Sequence, residues 1–414
     1  MFLLLPCFLD IKSSVKLPFI KLRGADVFQV VFLAVLLMSC SQLASQIYIP
    51  VLPNITDSLQ LTPSQGQAAV ISYFTTLGAA QLLVGPLRDK FGDRPLFFSG
   101  LGILLLGTVF CSIASSAEVF FIGRVLQGIG AASPVLIGRT LLAARLSGSE
   151  LKSAMATLSM SVSVTAICSP FLAGVLSGWV GWQGMSWFAF AYYILILVYG
   201  YKTMQQSSKI TMSLRPKALF NEYQSLLLNR SFISLASLKW LPTFLYLTIQ
   251  LYLPFLLARQ FGLEANAIGQ AMMIPMFGLL IGSILTKVLQ RKRTYLDIVI
   301  WTWPALVVSV LLLLFASGSA LAVLLAYAAI MFVFGAYFPS YMHLIGVLHP
   351  EKAGTANALV GAVELLFFSC VAWLVNRWLL SGVESLAALV FGCALLLFIT
   401  WRHLRTVLMP ICKE

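Results

Sequence analysis

Residues Ala358–Val375 read ALVGAVELLFFSCVAWLV, and Glu364 is the one ionisable carboxylate in that apolar run. A carboxylate at the centre of a bilayer costs roughly 2.5–3.5 kcal/mol in insertion experiments, so its presence calls for a role that offsets the cost. Two kinds of chemistry fit: carrying a proton, or holding a cation. Burial disfavours the charged form of a carboxylate, which suits proton exchange near neutrality. Asn357, Gly361, Glu364 and Phe368 fall at i, i+4, i+7 and i+11, one face of a helix. A polar, small-residue stripe of this kind is expected to point at a cavity rather than at lipid. The plainer reading makes Glu364 a structural partner for a neighbouring helix.

Three bases also fall inside apolar runs. Arg124 opens RVLQGIGAASPVLIGR, with Gln127, Gly128 and Ala131 at i+3, i+4 and i+7, a face that is both polar and closely approachable. Arg139 closes that segment and is expected to snorkel to the interface. Lys239 lies in SLASLKWLPTFLYL, near a polar linker, and snorkelling is the first expectation for it, with cavity lining second. Ser39, Gln42 and Gln46 form a polar stripe that cannot titrate. His343 reads as a packing residue or a proton relay, and Tyr48, Tyr73, Trp240, Tyr246 and Tyr252 are candidates to line a cavity. GPLRDKFGDR, with Gly85, Asp89, Gly92 and Arg94, makes a tight connection in which glycines permit the turn and an acid sits among bases. Ser169-Pro170 and Gly174 place a bend and a close approach in one helix, either a hinge or an ordinary packed kink.

The elements that must position these residues follow from composition. The chain has 414 residues, is 60% hydrophobic and 10% charged, with a mean hydropathy of +0.93. A soluble domain carries about 25% charged residues, so lipid must be part of the solvent. Apolar runs of helical membrane-crossing length fall at about 27–49, 65–87, 95–115, 119–144, 152–178, 183–202, 231–258, 265–287, 296–316, 319–345, 353–377 and 384–402. Of the 27 Lys and Arg, all but Arg124, Arg139, Lys239, Arg259 and Arg377 fall in segments facing the side of the N-terminus. The charge of +13 is therefore a positive-inside signature rather than a mark of nucleic-acid binding, and both termini are expected in the cytoplasm. The expected organisation is an interfacial N-terminal segment (1–26), a six-helix bundle (27–202), a cytoplasmic linker (203–230), a second six-helix bundle (231–404) and a cytoplasmic tail (405–414). A faint echo of the Gly85 motif at Gly282, GSILTKVLQRKR, agrees with internal duplication. The seven cysteines show no CxxC and read as buried thiols. The opening MFLLLPCFLD resembles neither a signal peptide nor a span.

GPLRDKFGDRP, RVLQGIGAA with both arginines, SPFLAG, AGTANALVGAVE and YIPVLP occur in an order that resembles the major facilitator superfamily, and more narrowly its Bcr/CflA-type drug:proton antiporters. The resemblance implies two six-helix bundles, alternating access, no cofactor beyond a proton gradient, a monomer, and the inner membrane of a bacterium. The chain also departs from the family. Where relatives carry an acid before the Tyr-hydrophobic-Pro sequence, this chain has Gln46 at or beside the position; Asp93 stands where a base is usual, and Glu364 where a glutamine is usual.

The leading expectation is a proton-coupled exporter of small amphipathic compounds, with Glu364 exchanging its proton against substrate and Arg124 organising a polar network. The alternative keeps the fold and moves an anionic, carboxylate-rich metabolite or siderophore, in or out, since one deep acid faces up to three bases. An enzyme is not expected: the chain has no HExxH, GxSxG or phosphate-cradling glycine loop, and three scattered histidines make no metal site.

Overall fold

A computed structural model describes residues 24–204, 223–290, 292–315, 318–348 and 353–408. Residues 1–23 of the expected interfacial segment, most of the linker and the end of the tail lie outside the described residues, as do the side chains of Asp89 and Arg139, while 24–26 already belong to the first helix. Everything described is helix or short connection.

Eleven helices among the described residues are long and apolar enough to cross a membrane. One of them, Gly148–Thr203, has 56 residues and holds Gly181 at φ 70°, ψ 172°, a conformation that favours glycine. At about 1.5 Å per residue an unbroken helix of that length would far exceed a ~30 Å hydrocarbon core. The chain turns at Gly181 instead. Ser186 then lies against Tyr48, Tyr192 against Ser39 and Tyr199 against Phe32, so 182–203 runs antiparallel to the first helix. That makes twelve spans: 1 (Gly24–Gln46), 2 (Pro63–Phe91), 3 (Asp93–Ser112), 4 (Ala117–Arg145), 5 and 6 (the two parts of Gly148–Thr203), 7 (Arg230–Phe261), 8 (Ala265–Leu289), 9 (Tyr295–Phe315), 10 (Ala320–Leu348), 11 (353–378) and 12 (Val383–Leu408). With an even number of spans, Gly24 and Leu408 emerge on one face, the basic one, which the charge pattern assigns to the cytoplasm.

Local chemistry sets the ends. Thr62 and Gln65 form a capping box ahead of Pro63, and Thr294 with Asp297 does the same for span 9. Gly92, at φ 88°, ψ 172°, separates spans 2 and 3. There Arg88 Nε donates to Asp93 at 2.5 Å, and Arg94 lies over the rings of Phe98 and Tyr201. The GPLRDKFGDR connection is thus pinned by one internal ion pair and a cation on aromatic faces.

Span 4 packs against spans 1, 2 and 3, and span 10 against spans 7, 8 and 9. Between the first six spans and the last six, span 2 lies against span 11 and span 5 against span 8. The second contact uses the expected bend: a Cβ on Gly174 would come within 2.8 Å of the Ala265 carbonyl oxygen, and Gly269 faces the Pro170 carbonyl. Small residues let the two backbones approach there. Span 11 is not one α-helix. Its Glu364–Phe368 segment is a π turn, a wide turn often found at functional positions.

Candidate transport pathway

Among the described residues, three polar clusters lie within the spans. The first surrounds Arg124, about 10 Å into span 4 from its outer end at 1.5 Å per residue. Its side chain is fully buried. The guanidinium carbon sits 4.9 Å from the Tyr48 ring centre and 4.5 Å from that of Tyr73. Nη1 donates to the Ala44 carbonyl at 3.0 Å and to Gln127 Oε1 at 2.7 Å. Span 1 ends as a helix at Gln46, which leaves the Ala44 carbonyl without its usual helical donor. Gln127 Nε2 passes the network on to Thr108 Oγ1 (3.0 Å) and the Tyr48 hydroxyl, which meets Ser186 Oγ at 2.9 Å. Among the described residues no carboxylate pairs with Arg124, and its Nη2 has no hydrogen-bond partner.

The second cluster joins the two halves near the outer ends of spans 1, 2, 7 and 11. Gln46 Nε2 donates to the Tyr246 hydroxyl at 2.6 Å, and Gln250 Nε2 donates to Gln46 Oε1. Gln67 Nε2 donates to the Leu251 carbonyl at 3.0 Å and to Asn376 Oδ1 at 3.4 Å, while Asn376 Nδ2 donates to the Thr248 carbonyl at 3.0 Å. Trp373 Nε1 reaches the Ser64 carbonyl at 2.9 Å, and Thr75 Oγ1 lies 3.6 Å from Cys370 Sγ. These bonds tie the halves together on the outer side.

The third cluster is in the second half. Lys239 Nζ lies 2.6 Å from Glu364 Oε2, with both side chains 15% exposed. Rings of Phe338 and Tyr341 stand 5.7 and 5.8 Å from Nζ. The Tyr341 hydroxyl donates to Asn357 Oδ1 at 2.9 Å. Trp240 Nε1 donates to the Val360 carbonyl at 3.1 Å, just ahead of the π turn, and Phe368 packs on Trp240 and Phe244. The stripe Asn357, Glu364, Phe368 therefore faces spans 7 and 10.

Several expectations change. Lys239 does not snorkel to the interface. It turns along span 7 to the carboxylate, because an ion pair inside the membrane removes two unpaired charges at once. Tyr48 and Tyr73 do not line a cavity: both are fully buried and sandwich Arg124. Trp240 is 6% exposed and committed to Val360. His343 is exposed and stacks on Tyr295 at 4.2 Å, outside all three clusters. Gln46 bonds across to the second half, where Tyr246 and Gln250 meet it. Gln42 is half-buried and makes no side-chain hydrogen bond among the described residues. Sequence reading missed Gln67, Gln250 and Asn376, although each is an amide in an apolar span and so a candidate on polarity alone.

The outer contact can be trapped. In a Thr75→Cys variant cut within the linker, mild oxidation is expected to join the halves through Cys370, because a 3.6 Å separation lies within a small shift of disulfide geometry. Non-reducing electrophoresis reads it, with the wild type as control. Halves that stay apart under oxidation would mean that spans 2 and 11 do not meet there.

Comparisons with known proteins follow the geometry. Multidrug resistance protein MdtL of Escherichia fergusonii is 24% identical over 366 residues, 85% of this chain and 91% of that protein. Multidrug resistance protein D of Escherichia coli (strain K12) is 29% identical over 164 residues, 40% of each chain. A crystal structure of the D-xylose-proton symporter matches with a TM-score of 0.70 at 14% identity, covering 90% of this chain and 97% of that one. An inward-facing bacterial homologue of the human lysosomal transporter Spinster matches at 0.68 and 15%, covering 92% and 98%. At those identities the structures speak for the fold alone. The sequence model of the Major Facilitator Superfamily matches residues 34–369. A multi-pass helical membrane protein with that match over most of its length is a transporter of the family, and this chain belongs to the Major Facilitator Superfamily.

Proposed function

We propose that the chain is a proton-coupled secondary transporter that exports small amphipathic molecules by alternating access, working as a monomer in the inner membrane of a bacterium. The observation that carries the reading is the Lys239–Glu364 pair at the π turn of span 11. A carboxylate whose ion-pair partner among the described residues is one lysine can exchange that partner for a ligand or a proton. With the outer ends bonded together, this arrangement corresponds to a carrier closed to the outside and awaiting cargo from the cytoplasm. Cargo that engages Glu364 and a proton that neutralises it exclude each other, which is the requirement for exchange. Rocking of the first six spans against the last six then breaks the outer bonds, those between spans 2 and 11 included, and releases cargo outward. The names of the relatives, multidrug resistance proteins, support export of drug-like compounds.

Energised everted vesicles containing a pH-sensitive dye test this. Adding lipophilic cations, neutral drugs or carboxylate-bearing compounds to the wild type is expected to trigger proton release for at least one class, and Glu364→Gln is expected to abolish it. An equal response from the variant assigns Glu364 a structural role and sinks the coupling reading.

A further inference from the structure

The charges buried in the spans restrict what the cargo can be. Among the described side chains, the deep ionisable groups with a fixed charge partner or none are Arg124, Lys239 and Glu364. Arg124 is held by carbonyl, amide and ring contacts and has no acid beside it. The spans therefore hold one uncompensated positive charge, at Arg124 in the first half, and a balanced pair in the second. A purely cationic cargo that took Glu364 would strip Lys239 of its only ion-pair partner and add a further positive charge. The rings of Phe338 and Tyr341 would be the remaining support for the ammonium, and cation–π contact supports a desolvated charge less well than an ion pair does. A purely anionic cargo that took Lys239 would leave Glu364, whose Oε2 meets no other donor, needing a proton. It would bind together with the proton rather than against it.

We infer that the cargo is amphoteric: an aromatic molecule that inserts between Lys239 and Glu364, presenting a carboxylate-like group to Nζ and an ammonium-like group to the carboxylate. Such a ligand replaces the internal ion pair with two external ones and changes the net charge of the region by nothing. Both partners keep 15% side-chain exposure, so the pair is reachable. Phe338, exposed and 5.7 Å from Nζ, offers its ring to the aromatic body. This inference rests on the reading of the pair as the coupling site and adds the chemical class of the molecule that occupies it.

Three naphthyl probes of one size separate the possibilities: 2-naphthylalanine (zwitterion), 3-(2-naphthyl)propionate (anion) and 2-(2-naphthyl)ethylamine (cation). Binding to the purified full chain in lipid nanodiscs is measured by calorimetry at neutral pH. Naphthylalanine is expected to bind at least tenfold tighter than either singly charged probe. Glu364→Gln is expected to erase its advantage over the propionate, and Lys239→Gln its advantage over the ethylamine. A wild type that prefers the ethylamine, or the propionate, overturns the inference without recourse to any variant. The coupling reading is scored separately, by the pH dependence of the naphthylalanine Kd. A zwitterion preference with a Kd unchanged between pH 5.5 and 8 keeps the cargo class and removes proton competition at this site.

Discussion

Lys239→Met is expected to destabilise the protein by about 2–3 kcal/mol, below the 3–5 kcal/mol typical of breaking a fully buried pair because each partner keeps some exposure. The loss comes less from the missing attraction than from what is left behind. Glu364 sits in the middle of span 11, its Oε2 meets no donor besides the Lys239 ammonium, and the rings nearby can stabilise a cation but not an anion. Glu364→Gln alone leaves the mirror defect, an ammonium supported by two aromatic faces, and is expected to cost less. The double variant Lys239→Met with Glu364→Gln removes both charges and should recover most of the stability of the wild type. A thermodynamic cycle on unfolding in mixed micelles reads the coupling as about 2 kcal/mol. A cycle that closes with no coupling would mean that the 2.6 Å contact contributes nothing and that each group has another partner. Transport separates the roles further: the double variant is expected to be stable and inactive.

Arg124→Leu is the second large effect, expected at about 3 kcal/mol together with loss of transport. Leucine leaves Gln127 Oε1 and the Ala44 carbonyl without their donor in a dry core, at about 1–3 kcal/mol for each unsatisfied group. It also empties the slot between the Tyr48 and Tyr73 rings. One term opposes these: removing a buried cation with no carboxylate beside it regains its desolvation cost. The hydrogen bonds at 3.0 and 2.7 Å and the two ring contacts are expected to outweigh it. Arg124→Lys keeps the charge and the rings but not the fork that reaches Ala44 and Gln127 together, so its expected loss is about half as large. If the leucine variant proves more stable than the wild type and is inactive, Arg124 is strained and retained for transport alone.

The spans were legible because a membrane leaves little choice: apolar length fixes their number, and Lys and Arg placement fixes their direction. The expected break between 178 and 183 contains Gly181, where the helix turns. Deep polar residues were legible for the same reason, since Glu364, Arg124 and Gln46 stand out against apolar neighbours. Their partners were not. Lys239 and Glu364 are far apart in sequence, and only the packing of span 7 on span 11 brings them together. Spacing gave Gln46 a place in a polar stripe but not the neighbours it meets, Tyr246 and Gln250 of the second half. The π turn has no sequence signature, and it changes which residues share a face beyond Glu364.

The bonds that hold the outer ends together join amides, hydroxyls, an indole and backbone carbonyls. Such bonds carry no formal charge, so they have no proton to gain when the medium outside turns acidic and no counter-ion to lose when it turns salty. A door closed in this way does not register acid or salt on the outer side. For the proton-coupled exporter proposed above, sensitivity to a proton gradient would then lie in the interior, at Glu364, the carboxylate that meets a neighbouring helix among the described residues, and leakage through the closed end should stay constant while the gradient varies.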